Sequence, residues 1–323
     1  MRVAIKNAGI LVTGGAGFIG STLVDRLIEE GARQVVVIDN MFCGRETNLE
    51  SGLAKGVVLY KDDAEINSSL QYIFERHSID IVFNCATKAL NYSFINPSNA
   101  FETNVKVALN LLEFQRHKAF STLCHFSTSE VYGTAVYEPM DEKHPKNPTT
   151  AYAAGKAAAD LAIEVYVRMF GLDAFIVRPF NNYGPRQNYR GFLSGVIPIT
   201  AYKIFKDEMP EIHGTGKQTR DFIFVDDTVD AIIKTYPLLG PGECVNISSE
   251  GQLRIEEVVQ RVAQCMNYTG AILRKPARPS DVLCHNASNE KIKTLIRYRL
   301  TPFDEGIKKT IDWYRKDFQR WSI

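Results

Sequence analysis

Tyr152 and Lys156 bracket the run Tyr-Ala-Ala-Gly-Lys, a spacing that sets a phenol and an ammonium on one face of a helix, one turn apart. An ammonium and any cationic ring bound beside it both favour phenolate. They draw the tyrosine pKa toward neutrality and make the phenol a base for an alcohol proton. Such a pair is common on ordinary helices and gains meaning only from its company. Upstream, Thr128-Ser129-Glu130-Val131-Tyr132-Gly133 brings a hydroxyl and a carboxylate to the end of an apolar run over 122–127. If extended backbone persists, a period of two points Thr128, Glu130 and Tyr132 toward one cleft. In isolation Glu130 reads as a solvated loop carboxylate.

A cofactor signature lies near the start. The run over 10–13 leads directly into Gly14-Gly15-Ala16-Gly17-Phe18-Ile19-Gly20, and Gly15-x-Gly17-x-x-Gly20 satisfies the dinucleotide fingerprint. Its glycines allow a tight turn and a close approach of backbone to a pyrophosphate, which then rests on the positive end of the next helix. The second apolar run, Val35-Val36-Val37-Ile38, ends in Asp39, where a carboxylate can accept from both adenosine ribose hydroxyls and would repel a 2′-phosphate. NAD is therefore expected rather than NADP. Asp62, after the third run, is a candidate for the adenine side, with adjacent Asp63 competing for the role.

The elements that must carry these groups alternate. Short β-branched runs predict strands over 10–13, 34–38, 57–60, 79–84, 122–127 and 174–178. Segments of helical period predict helices over 18–30, 68–76, 100–117 and 151–170. That rhythm is the pattern of an α/β protein with a Rossmann-like, doubly wound parallel sheet. Beyond Arg178 it loosens. Loops over 138–148 and 181–192 are placed to cover a site, and Ile307, Ile311, Tyr314 and Phe318 give the tail over 303–321 an amphipathic helical face. The expected division is a dinucleotide-binding domain over 1–178 that carries the catalytic groups, and a smaller α/β substrate-binding domain over 179–323, partly interleaved. No internal repeat or low-complexity segment is present.

Composition narrows the class. The 323 residues suit about two compact units at ~150 residues each. A net charge of +1 gives no broad footprint for nucleic acid or an anionic membrane. The hydrophobic content of 45% argues against disorder. Six scattered cysteines form neither a disulfide framework nor a metal cluster, so no metal is expected. The apolar stretch over 10–12 is too short for a signal-peptide core, and no run approaches the ~18 residues that span a bilayer. A reducing cytoplasm is the expected compartment.

Taken in order, these motifs resemble the extended short-chain dehydrogenase/reductases, the NAD-dependent nucleotide-sugar epimerases and dehydratases. The resemblance rests on Thr13-Gly-Gly-Ala-Gly-Phe-Ile-Gly20, Thr103-Asn104-Val105, Ser127-Thr-Ser-Glu-Val-Tyr-Gly133, Tyr152-x-x-x-Lys156, Arg178-Pro-Phe-Asn-Asn-Tyr-Gly-Pro185, Arg220-Asp-Phe222 and Arg278-Pro279. It implies that Tyr152 is the base at the sugar 4-hydroxyl, that Lys156 holds the nicotinamide ribose, and that Thr128 bonds the reacting oxygen. Asn104 would support the active-site helix. It also implies cofactor contacts from Gly14, Gly17, Phe18, Ile19, Asp39, Asn40, Asp62 and Ala86. Asn181, Arg220 and Arg278 would hold the nucleotide diphosphate. A homodimer through the helices over 100–117 and 151–170 is implied too.

Oxidation at C4 gives a 4-keto sugar with an acidified C5 hydrogen, and three outcomes follow. Rotation of the ketone before reduction gives 4-epimerisation. A C5 carboxylate is lost as CO2. Removal of H5 with loss of the C6 hydroxyl gives a 4-keto-6-deoxy sugar. Glu130 resembles the C5 base of sugar-nucleotide 4,6-dehydratases, and it also occurs in UDP-glucuronate decarboxylases. Many dehydratases carry Asp where this chain has Ser129, yet GDP-mannose 4,6-dehydratases also have Thr-Ser-Glu. The stretch over 127–148 looks most like bacterial UDP-N-acetylglucosamine 4,6-dehydratases. The expected function is a UDP-sugar 4,6-dehydratase, ahead of a 4-epimerase or a decarboxylase. A non-catalytic NAD-binding protein is the remote alternative. The segment over 84–93 departs from the family pattern beside the sugar, which makes Thr87, Lys88 and Asn91 candidate readers of an unusual substituent.

Overall fold

The computed structural model describes residues 2–277 and 284–321. In chain order the strands are β1 (Gly9–Thr13), β2 (Gln34–Ile38), β3 (Val58–Tyr60), β4 (Ile81–Asn84), β5 (Thr122–Phe126), β6 (Asp173–Pro179), β7 (Asn181–Tyr183), β8 (Glu211–His213), β9 (Thr219–Arg220), β10 (Phe222–Phe224), β11 (Cys244–Ile247), β12 (Leu253–Arg254) and β13 (Leu273–Lys275). The helices are α1 (Phe18–Glu29), α2 (Glu50–Ala54), α3 (Asn67–Arg76), α4 (Pro97–Arg116), α5 (Ala151–Phe170), α6 (Val196–Phe205), α7 (Val225–Thr235), α8 (Ile255–Cys265), α9 (Glu290–Leu295) and α10 (Phe303–Trp321).

Seven parallel strands form the central sheet in the order β11-β6-β5-β4-β1-β2-β3. Alternation along each strand splits its apolar residues between two cores. Ile10, Val12, Val35 and Val37 pack on one face with Leu23, Leu27 and Ile232, whereas Leu11, Val36 and Ile38 pack on the other with Leu70, Leu111 and Ile163. Burial on both faces is why these strands read as continuous hydrophobic runs. The strand order reverses at β1, whose neighbours are β2 and β4. A crevice opens there at the carboxyl ends of the strands.

Helix ends follow local chemistry. Asn96 caps α4 by accepting from Asn99 N at 3.1 Å, with Pro97 in the first turn, so that helix begins ahead of the expected residue 100. Thr150 caps α5 in the same way, and Gly171, left-handed at φ +66°, closes it.

Past Arg178 the chain returns to the sheet through β11, which pairs with β6, while α7 packs against α1. A separate apolar cluster joins Tyr183, Tyr189, Ile197, Val258, Val262, Ile311 and Tyr314.

One expected path is not taken. β5 stops at Phe126, and Ser129–Tyr132 closes into a short 3-10 turn whose Glu130 N–H donates to Thr128 Oγ1 at 3.3 Å. The turn breaks the period of two. Tyr132 consequently faces the core, where its hydroxyl donates to Asn246 Oδ1 at 2.8 Å and accepts from Arg178 at 2.5 Å.

Candidate active site

A cavity of ≈ 590 Å³ runs from the crevice beside β1 to the C-terminal part of the chain. Its cofactor end is built on the glycine turn. Gly14 has φ +66°, and a side chain on it would meet the Ala86 backbone at 2.8 Å; a side chain on Gly20 would meet Gly14 O at 2.3 Å. The turn proper therefore uses Gly14, Gly17 and Gly20. Gly15, given as the first glycine of the fingerprint, faces the Val37 side chain, 2.7 Å from where its Cβ would stand. Gly17 is the N-cap of α1 and offers no side-chain cap, leaving the N-terminal N–H groups at Phe18 and Ile19 to the cavity that both residues line.

Asp39 is almost fully buried, accepting from Ala16 N at 2.9 Å and Met41 N at 2.8 Å. Burial raises its pKa, and the backbone N–H groups at Met41, Ala16 and Gly17 oppose the rise. Asn40, Asp62, Asp63 and Ala86 line the same end, with Asn40 Nδ2 donating to Asp63 at 2.7 Å. A glycine turn at van der Waals limits, an uncapped helix start and a buried carboxylate after β2 suit the pyrophosphate and ribose of a dinucleotide.

In the middle of the cavity α5 presents Tyr152 and Lys156, and the turn after β5 presents Thr128, Ser129 and Glu130. Hydrogen bonds anchor the start of α5 here: Tyr152 N donates to Ser93 Oγ at 2.9 Å, and Asn104 Nδ2 reaches Tyr152 O at 3.4 Å. The phenol does not meet the expectation of a neutral pKa on the chain's own charges. Burial pushes it up to about 12, hydrogen bonds with Thr128 and Thr87 pull it down, and the Glu130 carboxylate raises it further. Lys156 directs its ammonium to Phe126 O at 2.7 Å, the last carbonyl of β5. Burial lowers Lys156 to about 8, with Asp160 opposing. Asp160, one turn further along α5, is wholly buried and accepts from Ser127 Oγ at 2.9 Å and Arg178 Nη2 at 2.7 Å.

Thr87 and Lys88 both line the cavity but serve different ends. Thr87 Oγ1 donates to Asn104 Oδ1 at 2.7 Å and lies against the Tyr152 phenol. Lys88 is buried with its ammonium 4.4 Å from the centre of the Phe42 ring, on the loop that follows Asp39 and Asn40, so it sits toward the dinucleotide end. Asn91 spends its amide on Phe192 O at 2.9 Å and Ser194 O at 3.3 Å, fastening the loop over the cavity. Asn181 and Arg220 line the far end, the former donating to Asp221 O at 3.3 Å. Arg278 lies outside the described residues.

Three contributors lie outside the residues singled out by motif. Phe42 supports Lys88, Asp160 ties α5 to Arg178 of β6, and His285 lies 3.8 Å from Glu130. Of these, only Asp160 carried a readable signal, since Lys156 and Asp160 share a helix face at i and i+4.

Fold and site together define a dinucleotide-dependent enzyme on a doubly wound parallel sheet, with a tyrosine, a lysine and a carboxylate along one cleft. The chain belongs to the NAD dependent epimerase/dehydratase family, whose model matches residues 10–248. Among curated relatives it is 30% identical to the dTDP-D-glucose 4,6-dehydratase of Bos taurus, over 97% of this chain and 90% of that one. It is also 30% identical to the UDP-glucose 4-epimerase of Mycolicibacterium smegmatis, over 96% of this chain and 99% of that one. The crystal structure of dTDP-glucose 4,6-dehydratase from Streptomyces venezuelae with NAD bound superposes with a TM-score of 0.91 at 28% identity, covering 97% of this chain and 98% of that one. The protein is accordingly an NAD-dependent enzyme that modifies a sugar nucleotide. Among the described residues no helix is long and apolar enough to cross a membrane.

Proposed function

We propose that the protein is a nucleotide-sugar 4,6-dehydratase, and the observation that carries this reading is the placement of Glu130. Its carboxylate, 12% exposed, shares one cavity with Tyr152 and Thr128, close enough for its charge to raise the phenol's pKa. Bound NAD would supply the hydride acceptor for sugar C4 and the matching donor for C6. Gly14, Gly17 and the start of α1 at Phe18 and Ile19 would receive its pyrophosphate, Asp39 the adenosine ribose, and Asn40, Asp62 and Ala86 its flanks. Lys88, on the Phe42 side, suits its phosphates.

Tyr152 takes the proton of the 4-hydroxyl, with Thr128 and Thr87 holding the phenol oxygen in place. The ketone acidifies C5, and Glu130 takes that proton as the C5–H electron pair moves into an enolate. The enolate expels the C6 hydroxyl, which leaves as water with the proton removed from C5. A solvent proton then reaches C5, and the sum is the loss of one water. Ser129 has no acidic proton, so its hydroxyl serves only to hydrogen-bond the departing oxygen. Asn181, Arg220 and Arg278 hold the diphosphate, in a substrate-binding part over 179–323 that complements the dinucleotide-binding part over 1–178.

A 4-epimerase would use the same first step, and its support is the equal identity to the mycobacterial epimerase. Incubating the holoenzyme with dTDP-glucose, UDP-glucose, UDP-N-acetylglucosamine and UDP-glucuronate tests the choice. A 4-keto-6-deoxy product supports the dehydratase; a C4 epimer or released CO2 from UDP-glucuronate refutes it. Two further parts belong to the reading. Exposed Phe101 and Leu109 on α4 with Leu161, Val165 and Met169 on α5 suit a homodimer face, which sedimentation as a monomer would remove. Free thiols at all six cysteines suit a reducing cytoplasm.

A further inference from the structure

His285 lies wholly buried beside Glu130, yet it belongs to no motif that brought the site together. Its Nε2 is 3.2 Å from Gly133 O, and a carbonyl oxygen only accepts, so Nε2 carries the hydrogen. The ring is neutral, because burial and the Arg220 charge hold its pKa down at about 3. Nδ1 is thus a bare lone pair. It is buried with no hydrogen-bond partner and points at Glu130 Oε1, 3.8 Å away. The ring is held edge-on to Phe180, with centroids 6.1 Å apart.

A bare nitrogen facing an ionised carboxylate offers it nothing, because both are acceptors. It gains a partner once Glu130 carries a proton, since Oε1 is then about 1 Å beyond ordinary hydrogen-bond length and a small rotation closes the gap. We propose that His285 is a positioning residue that receives the hydrogen bond of protonated Glu130, stabilising the state created when the carboxylate takes the sugar C5 proton. The inference rests on the dehydratase reading. No new bond is made: the proton moves from C5 to Glu130, and His285 accepts a hydrogen bond from it. Arg220 and the nearby His144 both disfavour a charged ring, so His285 acts as an acceptor rather than as an acid.

Two substitutions separate this role from a structural one. His285→Gln keeps a donor that can reach Gly133 O but removes the acceptor facing Glu130, whereas His285→Asn places an acceptor near the Nδ1 position. In stopped-flow turnover of whichever of dTDP-glucose, UDP-glucose and UDP-N-acetylglucosamine the wild type converts, NADH absorbance should rise at the wild-type rate in both variants. It should then decay about two- to tenfold more slowly in His285→Gln, the loss expected for one charge-free hydrogen bond, and near the wild-type rate in His285→Asn. Unchanged decay in His285→Gln, or equal slowing in both, overturns the inference. Absence of a 4-keto-6-deoxy product from wild type overturns the dehydratase reading and this inference with it. Should a variant fail to fold, nitrogen-15 NMR of labelled histidine in the wild-type holoenzyme decides: the Nε2-protonated tautomer at His285 is expected, and an Nδ1-protonated ring refutes the role.

Discussion

Lys156→Met should make the protein more stable at neutral pH while removing its activity. Lys156 is 2% exposed, and burial lowers its pKa from 10.5 to about 8. At ~1.4 kcal/mol per pH unit, that difference costs the folded state about 3 kcal/mol below the folded pKa, where both states hold the proton. Methionine removes the cost but leaves Phe126 O without its donor, a loss of ~1–2 kcal/mol. The net gain is about 1–2 kcal/mol below the folded pKa.

The sign follows from proton counts. Between about 8 and 10.5 the unfolded wild type binds a proton that the folded form has released, so wild-type stability rises with pH across that window. The variant has no such gain. Its advantage is full below about 8 and fades, then reverses, toward 10.5. Urea denaturation of both proteins near neutral pH and near the upper end of the window measures the two gaps directly. Equal gaps at the two pH values would show that the ammonium bears no burial cost, and the stated basis of its environment would be wrong.

Three other substitutions probe separate parts of the site. Glu130→Gln should lower dehydration by ~10²–10⁴-fold while NAD content, read from the protein's absorbance, stays at the wild-type level; unchanged turnover removes Glu130 from the chemistry. Gly20→Ala forces a Cβ to 2.3 Å from Gly14 O, so the turn must open: stability should fall by ~1–3 kcal/mol and NAD affinity about tenfold, and wild-type affinity by calorimetry would contradict the crowding argument. Asp39→Asn keeps an acceptor for Met41 N but loses the charge, so the ratio of NADP to NAD affinity should rise about tenfold; no change in that ratio would mean the carboxylate does not discriminate.

Much of the molecule was readable where periodicity and punctuation agreed. The runs over 34–38, 151–170 and 303–321 form elements with the expected ends because β-branched packing, the Thr150 cap, Gly171 and the apolar face of the tail all point one way. β11 was missed: four residues carry little period, and only pairing with β6 makes Cys244–Ile247 a strand. At Ser129–Tyr132 the Thr128 cap favours a turn over continued extension, which turned Tyr132 inward. Adjacent glycines hid which one takes the left-handed backbone at Gly14, because sequence spacing does not record φ. His285 was illegible because 155 positions separate it from Glu130 and only the fold brings them within 3.8 Å.

The transfer of hydrogen within one sugar is the core of the account. A substrate carrying deuterium at C4, drawn from the dTDP- or UDP-sugar the holoenzyme converts, should yield a 4-keto product with that deuterium in its C6 methyl group. Deuterium retained at C4 of an inverted sugar would contradict the account.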